Sequence, residues 1–388
     1  MNKEFKKDLT NAFELKNFGN NKEALELYEK LYQQNPEGFN YRQKVDYAWT
    51  IIKVRMKDLT NQDELIEAAN YITQLLPQAD LKTTKSCPYT TAVFKVLISL
   101  RNDEKYYEMI PWLEKLNPEL LDENEYRSHD RIQKPRKEKY YDWASKAYLE
   151  VMEFEKCIEV SKTALETLDK FHDEGDTWFK WRIAKSLKQL NQLRKSLSYY
   201  LEVIEVKDDW YMYRDIAEIY YELNKPYEAL DYLCPAILSR GSINIKANLY
   251  YLCYKVFKLF NEEMAIKHAQ LYYLLRLEKG YYVPYEIEKL NFDETQLNKR
   301  ELQREITGLW IQYKYKDQKR HYGTVIKFFQ DKNFGFIKTH NDENIFFHKN
   351  EFKDDTVYVG QLVSFFTEES FDKSKNRKSQ KAVIVRGE

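Results

Sequence analysis

The sequence predicts a chain of two architectures, an all-α helical-repeat solenoid followed by a small all-β barrel. Three observations carry this. Small and apolar residues recur at helical spacing over most of the 388 residues, in units that repeat. Gly and Pro are scarce, at 10 and 9, as long helices require. Near residue 320 the apolar period changes from helical to alternating. The expected division is a solenoid over 1–280, a capping helix and linker over 281–319, and a barrel over 320–388.

The first repeat lies in AFELKNFGNNKEALELYEKLYQQNP, residues 12–36. Ala12 and Leu15 fall on one helix, a Gly-Asn turn follows, and Ala24, Tyr28 and Leu31 fall on the next, closed by Pro36. The spacing returns with Tyr141, Ala144, Ser145, Tyr148, Cys157 and Ala164. It returns again with Ile183, Ala184, Leu187, Ser196, Tyr200 and Val203. Further copies hold Ile216, Ala217, Tyr220, Ala229 and Leu233, then Leu249, Cys253, Val256, Ala265 and Ala269. Weaker copies run through Trp49, Ile52, Leu65 and Ala69, and through Phe94, Leu97, Tyr106 and Ile110. That makes about seven helical pairs near the roughly 34-residue period of this repeat class. The pattern resembles the tetratricopeptide repeat. One pair cannot bury its own apolar stripe, so neighbours stack into a solenoid with a concave face. Such a face implies an unidentified protein partner, or an extension of a nucleic-acid surface.

Two segments interrupt the rhythm. Residues 127–139 hold Arg127, Arg131, Lys134, Arg136, Lys137 and Lys139, followed by Tyr140, Tyr141 and Trp143. Interleaved cations and rings suit phosphate contact and base stacking. A solvated loop between repeats explains the same residues. After the break at 281–293, a helix is expected over about 294–315, with Leu297, Leu302, Ile306 and Leu309 as its stripe. It is placed to cap the last repeat, and KYKDQKR (314–320) reads as a linker.

Five strand-like runs follow: YGTVIKFF, FGFIKT, NIFFHK, QLVSFFTE and QKAVIVRG. Five strands in about 69 residues suit a small antiparallel barrel of the OB-fold type. GTVIKFFQDKNFGFI and then NIFFH resemble the two nucleic-acid-binding motifs of the cold-shock domain. VGQLVSFFTEE and KAVIVR resemble its later strands, so the likeness spans 320–388. Lys327 stands where many members carry Trp, with Phe328 on the adjacent family Phe. A one-residue slip places Phe328 and Phe329 on that pair instead. Asn333 replaces a Gly, and Asn tolerates positive φ well. Lys349 stands where the family has Phe.

Alternation assigns the faces. Phe334 and Phe336 share one face, with Gly335 and Ile337 on the other. Phe346 and His348 share a face, with Ile345 and Phe347 opposite. Phe329, Phe347, Phe365 and Phe366 are available for the interior. Flat rings on an open face can stack on unpaired bases. The expected nucleic-acid-binding set is Lys327, Phe328, Lys332, Phe334, Phe336, Phe346, His348 and Lys349. Residues 320–388 hold 12 basic and 10 acidic residues, a net +2, so stacking should outweigh bulk charge. Residues 368–381 read as a polar hairpin loop with Lys373, Lys375, Arg377, Lys378 and Lys381.

The rest narrows the class. The whole chain is formally neutral, so bulk charge gives no sign of a polyanionic partner. Cys87, Cys157, Cys234 and Cys253 show no paired spacing, as expected of buried thiols in a reducing compartment. MNKEFKKDLTNAFELK lacks a signal-type apolar segment, and no window approaches a membrane span. The expected location is cytoplasmic. No phosphate loop, HExxH, GxSxG or metal-ligand cluster is present. No catalytic residue, metal or cofactor is assigned, and no enzyme is expected. The sequence reads as an RNA-binding adaptor whose ligand is single-stranded RNA. The alternatives are a protein-only interaction scaffold and a single-stranded DNA-binding protein.

Overall fold

The computed structural model describes residues 3–84, 86–128, 131–352, 356–372 and 376–388, with side chains for all of these except 126–128, 131 and 372. Packing divides the chain into two units, 1–223 and 224–388.

The first unit is helical. Its elements are α1 (Lys3–Asn17), α2 (Asn21–Gln34), α3 (Tyr41–Arg55), α4 (Gln62–Leu75), α5 (Pro88–Asn102) and α6 (Tyr106–Glu114). A hairpin of β1 (Tyr126–Ser128) and β2 (Arg131–Gln133) follows. Then come α7 (Arg136–Glu150), α8 (Phe154–Thr167), α9 (Gly175–Gln189), α10 (Leu193–Ile204) and α11 (Trp210–Glu222). Each helix packs on the next, and α1 also meets α3, α3 meets α5, and α7 meets α9. Contacts to both the next helix and the one after are what a stacked repeat requires.

The sequence explains the pairing. Ala12 and Ala24, Ser145 and Cys157, and Ala184 and Ser196 stand twelve positions apart, and all six are buried. Small residues there let two backbones approach. The Ser196 hydroxyl donates to the Ala184 carbonyl at 2.6 Å, and the Cys157 thiol donates to Ser145 O at 3.2 Å. The first helix of several pairs ends on a left-handed residue: Gly19, Glu104, Met152 and Asn191. The next amide then bonds back five residues, as Gln192 N–H does to Leu187 O and Glu153 N–H to Tyr148 O. This is the turn the Gly-Asn step predicted.

The second unit opens with α12 (Pro226–Leu238), α13 (Ala247–Phe257), α14 (Glu262–Glu278), the short α15 (Tyr285–Glu288) and α16 (Lys299–Lys314). The helix expected over 294–315 is α16, and it packs on α12 and α14. Its buried stripe is Leu302, Ile306 and Trp310 rather than one ending in Leu309. Trp310 is the anchor that stripe omitted. Its Nε1–H donates to His268 Nε2 at 2.9 Å, while His268 Nδ1 donates to the Met264 carbonyl at 2.7 Å. Burial holds the His268 imidazole neutral and lowers its pKa to about 4.

Five strands complete the unit: β3 (His321–Phe329), β4 (Phe334–Thr339), β5 (Asn344–His348), β6 (Leu362–Asp372) and β7 (Arg377–Gly387). They close in the order β3-β4-β5-β7-β6, with β5 and β7 parallel and the other pairs antiparallel. The interior holds Val325, Ile337, Ile345, Phe347, Phe352, Val363, Phe365, Ala382 and Val385. One expectation changes here. Residues 368–372 and 377–381 continue β6 and β7 as paired strands and do not form a loop. Lys373 and Lys375 lie outside the described residues.

Segment 314–320 is anchored, unlike a free linker. The Tyr315 ring stacks on Phe366 at 4.4 Å and 6°, so Phe366 faces α16 and not the interior. The Tyr315 hydroxyl donates to Glu368 at 2.7 Å, and Lys314 and Lys381 pair with the same carboxylate. Burial opposes the Glu368 charge, but these donors outweigh it and lower its pKa to about 2. Arg320 lies over the Phe366 ring at 4.7 Å and donates to the carbonyls of Ser364 and Ile384 at 2.8 and 2.9 Å. Ile384 has φ +50, an unusual value for a β-branched residue, beside an irregularity in the β6–β7 register.

Candidate nucleic-acid interface

The candidate face is the outer surface of β3, β4 and β5. Register places Phe334 opposite His348 and Phe336 opposite Phe346, as alternation required. The Phe334 and Phe346 centroids lie 5.5 Å apart, and Phe336 lies 6.0 Å from each. The three rings are half-buried, packed against one another with their outer surfaces open. Ile345 and Phe347 point inward and are buried.

Two backbone features set this surface. Asn333 adopts φ +54 and turns the chain into β4, the conformation that made Asn an acceptable replacement for Gly. Gly335 lies between its partners Phe328 on β3 and Phe347 on β5. A Cβ there would stand 2.4 Å from the Lys327 carbonyl and 2.5 Å from the Phe347 ring. The buried Phe347 ring occupies the space that a side chain at 335 would need.

The β3 strand departs from strict alternation. Its register with β4 shifts between Val325 and Lys327, leaving Ile326 without a Cα partner. An extra residue in one strand inverts the faces beyond it. Phe328 is therefore corrected: it pairs with Gly335, packs against the interior and stacks parallel to Phe347 at 6.1 Å and 7°. Phe329, assigned above to the interior, comes to the outer face instead. It pairs with Phe334, and their centroids lie 4.9 Å apart. The one-residue slip in the family resemblance was the signal that pointed to it.

The polar members lie on the strands and in the turns that follow them. Lys327 pairs with Phe336 across the strands, and its ammonium lies 4.7 Å over the Phe329 ring. Lys332 and Lys349 are exposed, and among the described residues neither meets a carboxylate at ion-pair distance. His348 is exposed, and its Nδ1 accepts the Asn350 amide at 3.3 Å, which leaves Nε2 as the nitrogen free to donate. Strand register thus brings Lys327, Phe334, Phe336, Phe346 and His348 together, with Phe328 exchanged for Phe329, while Lys332 and Lys349 lie in the turns after β3 and β5.

The basic segment 127–139 is arranged differently. Arg127 and Arg131 have no described side chains. Arg136 pairs with Asp122 at 3.1 Å, and Lys134 with Asp173 at 3.3 Å. Lys137 is buried and pairs with Glu123 at 2.9 Å and Glu119 at 3.3 Å. Nearby, a polar cavity of about 390 Å³ is lined by Glu123, Glu125, Glu138, Lys170 and His172, among others. His172 bridges the buried Glu138 and, at 2.8 Å, Glu125. Burial opposes its charge, but its hydrogen bonds to Glu125 and Glu138 prevail and raise its pKa. Among the described residues no cluster of His, Cys, Asp and Glu is arranged to hold a metal, and no helix is long and apolar enough to cross a membrane.

No family model matches the chain, and no curated protein matches it. Solved structures of low similarity do. BtubC from P. vanneervenii is 12% identical, with a TM-score of 0.39 over 60% of this chain and 94% of that one. A tetratricopeptide repeat protein from Parabacteroides merdae is 15% identical, with a TM-score of 0.32 over 80% of this chain and 100% of that one. The human IFIT1 dimer with PPP-AAAA is 14% identical, with a TM-score of 0.35 over 77% of this chain and 61% of that one. These TM-scores are low, so the account of the helical pairs rests on their own packing.

Proposed function

We propose that the chain is an RNA-binding adaptor. Single-stranded RNA stacks on the outer face of β3–β5, and the helical pairs engage a protein partner or lengthen the RNA surface. The barrel is read as a cold-shock-like OB-fold, because FGFI and NIFFH stand on adjacent antiparallel strands. The carrying observation is the cluster of Phe334, Phe336 and Phe346 on an outward face, with Lys327 paired to Phe336 and with Lys332 and Lys349 exposed in the turns after β3 and β5. Rings left partly open to water lose hydrophobic stabilisation that burial would give them. A ligand with flat faces recovers it, at about 1–3 kcal/mol per stacked base. The cations beside the rings favour a ligand carrying phosphates. The proposed setting is the cytoplasm, and the role is binding without catalysis.

The test is the full chain carrying Phe334→Ala with Phe346→Ala. Fluorescence anisotropy with a labelled uridine-rich oligonucleotide should show affinity falling at least about 30-fold, from two lost stacks. Unchanged affinity in a variant with the parent's thermal transition would sink the reading. Equal binding of the deoxyribose oligonucleotide would extend the ligand to single-stranded DNA. Protein partners that survive both nuclease treatment and the double substitution would favour a protein-only scaffold.

A further inference from the structure

We infer that His172 is a proton-operated latch: charged, it holds Glu125 and the approach to the β1–β2 hairpin against α7, and neutral, it releases them. The latch lies within the first unit and is independent of the ligand of the barrel face.

The His172 ring is clasped between two carboxylates. Its Nδ1 meets Glu138 of α7, and its Nε2 meets Glu125, ahead of β1, at 2.8 Å. Both nitrogens face acceptors, and an imidazole donates from both only when each carries a proton. Burial opposes that charge, but the hydrogen bonds to Glu125 and Glu138 outweigh it and raise the His172 pKa.

The backbone of His172 is fixed independently of the ring. Its N–H donates to Glu138 Oε1 at 2.9 Å, and its carbonyl accepts from Gly175 N–H at 2.9 Å and from Lys134 Nζ at 3.2 Å. Lys134 also pairs with Asp173 at 3.3 Å and Glu138 at 3.8 Å. A Cβ at Gly175 would stand 3.2 Å from Glu138 Oε1, so the loop lies close against that carboxylate. These bonds hold in either charge state of the ring, so His172 titrates in place.

The two carboxylates are unequal. The Glu138 side chain is 2% exposed and that of Glu125 is 30% exposed. Stripping a donor from the buried one costs more. The neutral ring therefore keeps its single N–H on Nδ1, facing Glu138. Nε2 then presents a lone pair to Glu125, and attraction becomes repulsion. Glu125 can turn to water at small cost, and its other partner, the exposed Lys170, can turn with it. The chain just before it stays pinned. Asp122 pairs with Arg136 at 3.1 Å, and Glu123 with Lys137 and Lys82 at 2.9 and 3.1 Å. Motion is thus confined to Asn124, Glu125 and the hairpin they lead into. It opens the cavity of about 390 Å³, whose lining includes Glu125, His172 and Asp169. The latch is shut below the raised pKa and opens as pH rises through it.

The test follows the ring and the segment together in the full chain. Imidazole nitrogen-15 shifts report the ring, with His172→Gln identifying its resonances. Amide hydrogen exchange, corrected for its intrinsic pH dependence, reports residues 124–128. The ring should titrate above 6.5 to the Nδ1–H form. Protection of 124–128 should fall over the same pH range, while that of α10 stays constant. His172→Gln and Glu125→Gln should each remove the pH dependence of that protection. Glu125→Gln alters a partly exposed side chain, so at alkaline pH its thermal transition should match the parent's. Protection that stays constant while the parent's ring titrates, or that falls equally in Glu125→Gln, would overturn the latch. So would a ring that titrates at or below 6.5, or a neutral ring with its proton on Nε2, which would release Glu138 instead.

Discussion

Segment 127–139 and the barrel face look alike in sequence, since both interleave cations with aromatic rings, yet their cations differ in what they meet. Lys137 is enclosed by Glu119 and Glu123, and Arg136 and Lys134 are each paired with a carboxylate. Tyr141 and Trp143, which follow, are buried in the helical core. On the barrel, Phe334, Phe336 and Phe346 keep open surface, and Lys332 and Lys349 are exposed without such partners among the described residues. Composition is shared by the two regions. Satisfaction of the charges separates a structural cluster from a candidate binding surface.

The largest expected effect carries this contrast to two histidines. His172 sits between carboxylates, whereas His268 sits among Tyr250, Phe257 and Trp310. The His268 pKa is lowered from 6.5 to about 4, so the unfolded chain binds a proton there before the native one does. Stability from this residue is present above about pH 6.5 and is lost as pH falls towards 4. The loss between pH 7 and 4.5 should be roughly 2–3 kcal/mol. His172 has the opposite sign. Its raised pKa gives stability that is complete below 6.5 and is lost as pH rises through the raised value. Glu368 contributes to acid loss only below its ordinary 4.5. Hydrogen exchange of α14 and α16 amides at pH 7 and 4.5 reads the His268 effect. If His268→Asn leaves the acid-induced loss unchanged, the assignment is wrong.

Next in size is Lys137→Ala. Burial works against the Lys137 charge, and its hydrogen bonds to Glu123 and Glu119 more than offset it and raise its pKa. Removing it leaves two partly exposed carboxylates that water can solvate, so the expected cost is about 1–3 kcal/mol. Affinity for the oligonucleotide should be unchanged. A variant of undiminished stability that binds RNA more weakly would move this segment into the binding surface and break the contrast.

Local rules were legible in the sequence, and non-local ones were not. Small and apolar residues at helical spacing, repeated near a 34-residue period, located the helical pairs, because each helix–turn–helix unit repeats its own local pattern. Alternation located β4 and β5 and placed Phe334, Phe336, Phe346 and His348 on one face. Phe328 and Phe329 were exchanged because a bulge is a property of two strands in register, and no single strand records it. The carboxylates that occupy Lys137 lie 14 to 18 residues earlier in the chain, beyond any helical or strand period.

The smallest expected effect sharpens the contrast from the barrel side. Lys332→Ala with Lys349→Ala removes two exposed cations that make no ion pair among the described residues. Exposed charges without partners contribute little to folding, so the thermal transition should stay within about 0.5 kcal/mol of the parent's. Binding should respond through salt alone. Each phosphate contact on a single strand contributes about 0.7 to the slope of log affinity against log salt, so the double variant should lose about 1.4 if both contact phosphate. Half that loss would assign the contact to one lysine, and the single variants would say which. No change in slope would place the phosphate path elsewhere, and the rings alone would then hold the strand.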